Sequence, residues 1–101
     1  MKIVDVLENM LCFYDVEIAS SKFDKQELKN LEEFNKTQTL KQRLENIMPE
    51  PKIEFKHKDN GYEVFVGTSH HILDFVRKYM PTYEYESILV DEEGNVRFYL
   101  D

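Results

Sequence analysis

His70 and His71 stand side by side with Asp74 four residues after the first, and they come nearest of any residues here to a chemical motif. On a helix, His70 and Asp74 share a face and could supply two metal ligands. Zinc takes three or four, however, and the remaining histidine, His57, falls on a predicted strand with no further Cys or His beside it. Adjacent helical residues also point about 100° apart, so two neighbouring imidazoles do not converge on one ion. The pair reads as an exposed helix start, and no metal is expected.

Carboxylates are the other abundant reactive groups: Glu32 with Glu33, Glu84 with Glu86, and the run Asp91, Glu92, Glu93. General acid and base work needs a desolvated pair converging on a cleft. Glu84 and Glu86 instead open a strand whose apolar positions come later, which reads as a solvated strand edge. The glycines are Gly61, Gly67 and Gly94, two of them in hairpin turns, so no glycine-rich phosphate loop exists. Ser20, Ser21, Ser69 and Ser87 lack the flanking pattern of a nucleophile elbow. Cys12, the single cysteine, sits in an apolar run with no histidine near it, where a thiol behaves as a small buried hydrophobe. The sequence therefore predicts no catalytic residue, no cofactor and no enzyme.

A denser feature lies in the last twenty residues. Tyr83, Glu84, Tyr85, Glu86, Asp91, Glu92, Glu93 and Asp101 crowd there, with Arg97 as the one base. Tyrosine supplies amphipathic contact area at low entropic cost and carboxylates supply complementarity to a basic partner, so Tyr83, Glu84, Tyr85, Glu86, Asp91, Glu92 and Glu93 form the candidate protein-binding surface. Charge placement agrees. The chain carries a net charge of -7, made of -3 over residues 1–19, +2 over 20–58 and -6 over 59–101. Such a distribution disfavours direct binding to nucleic acid or to an anionic membrane, because neutralising phosphates needs a basic face. It favours another protein with a basic surface, such as a nucleic-acid-handling protein, with the carboxylates standing in for phosphates as in inhibitor and immunity proteins.

The elements that must position these residues follow from periodicity. A chain of 101 residues, 42% of them hydrophobic, suits a single domain, with a helical half over 1–48 and a sheet-containing half over 52–101. Asp5, Glu8 and Asp15 interrupt the apolar start of the chain, against a signal peptide or membrane helix, and the lone cysteine fits a reducing cytoplasm. A first helix is predicted over 2–15, apolar around so much of its girth that it needs cover on more than one side.

A second helix starts at Asp24, with Glu27 completing a capping box and Phe23 placed to staple onto Leu28. Its early apolar residues, Leu28, Leu31 and Phe34, lie roughly 155° out of phase with the later set Leu40, Leu44, Ile47 and Met48. The polar run 36–39, with Thr39 and Gln42 as a second capping box, predicts a kinked or split helix. The alternative is an unbroken helix of about 25 residues, half of it buried on a partner chain, which would make the protein a homodimer or structural subunit assembled through its first two helices.

Pro49 and Pro51 end the helical half. Beyond them the expected fold is α+β: a ββαββ unit with a four-stranded antiparallel sheet. Asn60-Gly61 predicts a two-residue hairpin loop pairing Lys58 with Glu63, His57 with Val64 and Phe55 with Val66, which places Ile53, Phe55, Val64 and Val66 on one buried face. A third helix over 69–80 presents Ile72, Phe75, Val76, Tyr79 and Met80 as one stripe. The second hairpin turns at Glu92-Glu93-Gly94 with Gly94 left-handed, pairing Ile88 with Phe98 and Val90 with Val96.

Overall fold

A computed structural model describes residues 1–9, 15–45, 52–58 and 60–101 of the chain. Eight elements follow one another: α1 (Ile3–Glu8), β1 (Asp15–Ser20), α2 (Lys25–Leu44), β2 (Ile53–His57), β3 (Glu63–Thr68), α3 (Ser69–Tyr79), β4 (Ser87–Val90) and β5 (Val96–Tyr99). The fold is mixed α and β around one five-stranded sheet of order β2-β3-β1-β5-β4. That corrects the four-stranded antiparallel expectation. The two hairpins do not meet each other. β1 lies between them, antiparallel to β3 and parallel to β5, with Ile18 opposite both Phe65 and Phe98.

β1 falls where the first helix was expected to end. The described helix covers only Ile3–Glu8, and residues 15–20 are strand. The alternation from Val16 to Ala19 explains it: Val16 and Ile18 enter the core, while Glu17 turns to the other face. Cys12, Ile47, Met48, Pro49 and Pro51 lie outside the described residues, so the readings that rest on them stand as expectations.

α2 begins as its sequence demands. The Asp24 carboxylate accepts from the Glu27 amide at 2.7 Å, and the Glu27 carboxylate accepts from the Asp24 amide at 2.9 Å. Its polar middle does not break it: Thr37 Oγ1 donates to the Glu33 carbonyl at 3.0 Å and Thr39 Oγ1 to the Asn35 carbonyl at 2.9 Å. Both hydroxyls bond four residues back and keep the run helical, so Thr39 opens no new helix. The helix runs unbroken across Lys25–Leu44, so the expected split is absent. As the phase argument requires of an unbroken helix, Leu31 and Phe34 are buried while Leu40 and Leu44 stand in solvent.

The first hairpin pairs Phe55 with Phe65 and His57 with Glu63, one residue away from the expected register. Gly61, at φ 85°, donates its amide to the Lys58 carbonyl, and the Lys58 amide donates to the Tyr62 carbonyl at 2.8 Å, so three residues and not two separate the closing pair. The shift turns Phe65, not Val64 and Val66, onto the face shared with Ile53 and Phe55. Burial of aromatic area favours it: the Phe65 ring stacks on Phe23 at 4.0 Å between centroids and meets Phe75 and Phe55 edge-on at 5.7 and 5.9 Å.

α3 carries its predicted stripe into the core, with Ile72, Phe75, Val76 and Met80 buried, and Thr68 caps it by accepting from the His71 amide. It packs on β3 and β1, with α1 and α2 against it. Gly67 permits the close approach of the start of β2, because a Cβ there would stand 3.0 Å from the Lys52 carbonyl oxygen and 3.3 Å from Ile53 Cγ1. One cluster joins α1, β1, α2, α3 and the sheet, from Ile3 and Leu7 to Val96 and Phe98.

Candidate functional site

The second hairpin has the predicted register, Ile88 opposite Phe98 and Val90 opposite Val96, with Gly94 at φ 86°. Its turn is built by Asp91. One carboxylate oxygen accepts from the Glu93 and Asn95 amides, each at 2.9 Å, and the other accepts from Asn95 Nδ2 at 3.1 Å. These bonds, the Asn95 amide foremost, hold the Asp91 carboxyl below the usual carboxylate range. Asp91 is thus spent on shaping the turn. Glu92 and Glu93 remain exposed at the tip, and Glu84 and Glu86 are exposed at the other end of β4.

The two tyrosines are engaged within the chain. Tyr83 lies beside Glu27, a member of the capping box of α2. Burial first, and then the neighbouring Glu27 carboxylate, push its pKa up to about 12. The Tyr85 ring lies 5.3 Å from Phe98 and its hydroxyl 3.7 Å from Met1 Sδ. Backbone bonds fasten the same segment: the Ile3 amide donates to the Tyr83 carbonyl at 3.0 Å, and Lys2 bridges Glu84.

A phenol whose pKa is raised in the folded state stabilises that state below its ordinary value near 10 and loses the contribution as pH rises toward 12. Melting temperature should therefore fall between about pH 10 and pH 12. Tyr83→Phe should flatten that part of the curve in a calorimetric pH series.

Sequence reasoning missed what lies between the carboxylates. Ile88, Leu89 and Val90 are 41%, 53% and 60% exposed. Alternation assigns Ile88 and Val90 to the core side of the sheet, and their partners Val96 and Phe98 are indeed buried. β4 is the edge strand, however, while α3 covers β3 and β1, so nothing described roofs it. The result is an apolar edge, Ile88 and Val90 on one face of β4 and Leu89 on the other, with carboxylates at both ends.

The one base of the hairpin does not offset those carboxylates. Arg97, on the face of the sheet away from the core, donates through Nε to Glu17, which also pairs with Lys58 Nζ at 3.3 Å. Arg97 also donates to the Tyr99 hydroxyl at 3.0 Å, and that bond together with Glu17 holds the guanidinium more firmly in its charged form. The Arg97 and Glu17 side chains are 25% and 17% exposed, so removing one leaves the other poorly solvated. Glu17→Ala should cost about 1–3 kcal/mol. A double-mutant cycle with Arg97→Met, read by urea unfolding, should show strong coupling between the two.

Other groups offer little chemistry. A shallow pocket of about 50 Å³ among Glu17, Leu89, Asp91 and Arg97 is far below the hundreds of Å³ a metabolite fills. His70 pairs with Asp74 at 3.7 Å, while the His71 ring nitrogen is held by Thr68 Oγ1 at 2.8 Å. Burial, with Lys52 nearby, keeps the His71 pKa low. Among the described residues no three His, Cys, Asp or Glu side chains gather where a metal could sit, and no helix is long and apolar enough to cross a membrane. Comparison of the chain with protein families, with curated proteins and with solved structures finds no match.

Proposed function

We propose that this chain is a small cytoplasmic protein-binding module without catalysis, whose β4–β5 hairpin docks on a basic surface of another protein. A nucleic-acid-handling protein is the natural target, its phosphate-binding bases met by carboxylates in the manner of an inhibitor. One observation carries the reading: an exposed apolar edge, Ile88 to Val90, lies between Glu84 and Glu86 at one end and Glu92 and Glu93 at the other, while Glu17 neutralises the nearby Arg97. Apolar contact at the centre and charge at the rim is the usual anatomy of an interface. Ile88, Leu89 and Val90 take over the contact area that the sequence reading assigned to Tyr83 and Tyr85.

A second reading has its own observation. Leu40 and Leu44, 57% and 86% exposed and one turn apart on α2, form a small apolar face suited to a homodimer. One experiment separates the two. The protein is immobilised, exposed to bacterial lysate at low and at high salt, and its retained partners are identified by mass spectrometry, with its own molar mass measured in parallel. A basic protein held at low salt and released at high salt is the expected result. A dimer mass with no salt-dependent partner would overturn the docking reading in favour of the helix-mediated assembly.

A further inference from the structure

We infer that the outer edge of β4 takes up an extended peptide segment as a sixth strand, and that this segment has apolar residues at its centre and Lys or Arg at its ends. The inference rests on the docking reading above and specifies how the docking is made. Its first support is the direction of the backbone groups. The Asp91 amide donates to the Asn95 carbonyl at 3.0 Å, and Leu89 stands opposite Arg97 in the same ladder. Antiparallel pairs alternate between bonded and non-bonded, so within β4 the odd-numbered residues bond β5, and just before it the Glu86 amide also turns inward, donating to the Tyr99 carbonyl at 2.7 Å. The amides and carbonyls of Ile88 and Val90 then face outward, where no described segment pairs with them.

Its second support is the contrast between the two edges of the sheet. At the β2 edge, Asn35 reaches across from α2 and occupies the outward groups of the first residue, Nδ2 donating to the Ile53 carbonyl at 2.8 Å and Oδ1 accepting from the Ile53 amide at 3.1 Å. Glu54, Lys56 and His57 add exposed polar and charged side chains there. These are the usual protections of an edge strand. The β4 edge, Ser-Ile-Leu-Val, has no lysine, proline or charge within it. One edge is capped at its start and lined with charge while the other is left bare and apolar, which is the geometry of strand addition.

Charge decides the occupant. If a second copy paired antiparallel edge to edge, the end of β4 that carries Glu84 and Glu86 would lie beside the turn that carries Glu92 and Glu93 of that copy, and such juxtaposed like charges are destabilising. A segment with bases flanking its apolar centre meets carboxylates at both ends instead.

The test uses the whole chain, labelled with nitrogen-15, and the peptide Lys-Lys-Val-Thr-Val-Thr-Lys-Lys at low salt. In the free protein the Ile88 and Val90 amides should exchange with solvent at least about tenfold faster than the Leu89 amide, and saturating peptide should slow them by about tenfold or more. The same peptide with its four central amides N-methylated, or with glutamates in place of its lysines, should leave them fast. V90P removes an outward amide that an edge strand can spare, and it should abolish binding while the melting curve is retained. Binding of the lysine peptide with Ile88 and Val90 still fast would overturn strand addition and leave the acidic docking reading standing. No binding of that peptide would overturn both. Protection of the two amides in a peptide-free dimer would show that a second copy is the occupant, against the inference.

Discussion

Replacing Phe65 by alanine is expected to destabilise the chain by about 3–5 kcal/mol. Phe65 is fully buried on β3 and joins three parts of the molecule: Phe23 before α2, Phe75 on α3 and Phe55 on β2. Truncation removes the stacking on Phe23 and leaves a cavity that three separate backbones border, so collapse around it is hindered. A domain of this size has only about 5–15 kcal/mol in total. The urea midpoint should therefore drop sharply with the slope retained. Phe55→Ala, at a half-exposed position on the edge strand, should cost clearly less. Equal losses at the two positions would mean that Phe65 is not the hub of the core.

The second large effect concerns binding. Changing Glu84, Glu86, Glu92 and Glu93 together to glutamine should weaken association with the captured basic partner by roughly 30-fold or more at low salt, from about 0.5–1 kcal/mol per exposed charge. The loss should shrink at high salt, where such charges are screened over distances of about 3 Å at 1 M. Most of the change should fall on the association rate, as expected of rim charges. Asp91 is left in place because its carboxylate holds the turn. Unchanged affinity, measured by titration calorimetry at both salt concentrations, would remove the acidic hairpin from the interface.

Local chemistry made part of this fold legible in the sequence. The Asp24-Glu27 capping box, the α3 stripe and the register of the second hairpin each depend on residues within one turn or one loop of each other, and each appears as expected. What escaped depends on distant partners. β1 is held by β3 and by a parallel pairing with β5 about eighty residues away, which no local pattern reports. The first hairpin slips by one residue because Phe23 and Phe75, on other elements, reward turning Phe65 inward. α2 stays whole because Thr37 and Thr39 could cap a new helix or bond back, and the helix they already belong to decides which.

The candidate site divides in the same way. Its carboxylates could be counted in the sequence. The exposure of Ile88, Leu89 and Val90 could not, because alternation tells which face a side chain takes and not whether a helix covers that face. The capping of the β2 edge by Asn35 is likewise a contact between elements eighteen residues apart.

Hydrogen exchange of the protein alone and bound to its captured partner, resolved along the chain by mass spectrometry, tests the location of the interface most directly. Protection confined to residues 84–93 is the predicted result. Protection centred on Leu40 and Leu44, or on the sheet face around Glu17 and Arg97, with the hairpin unchanged, would contradict it.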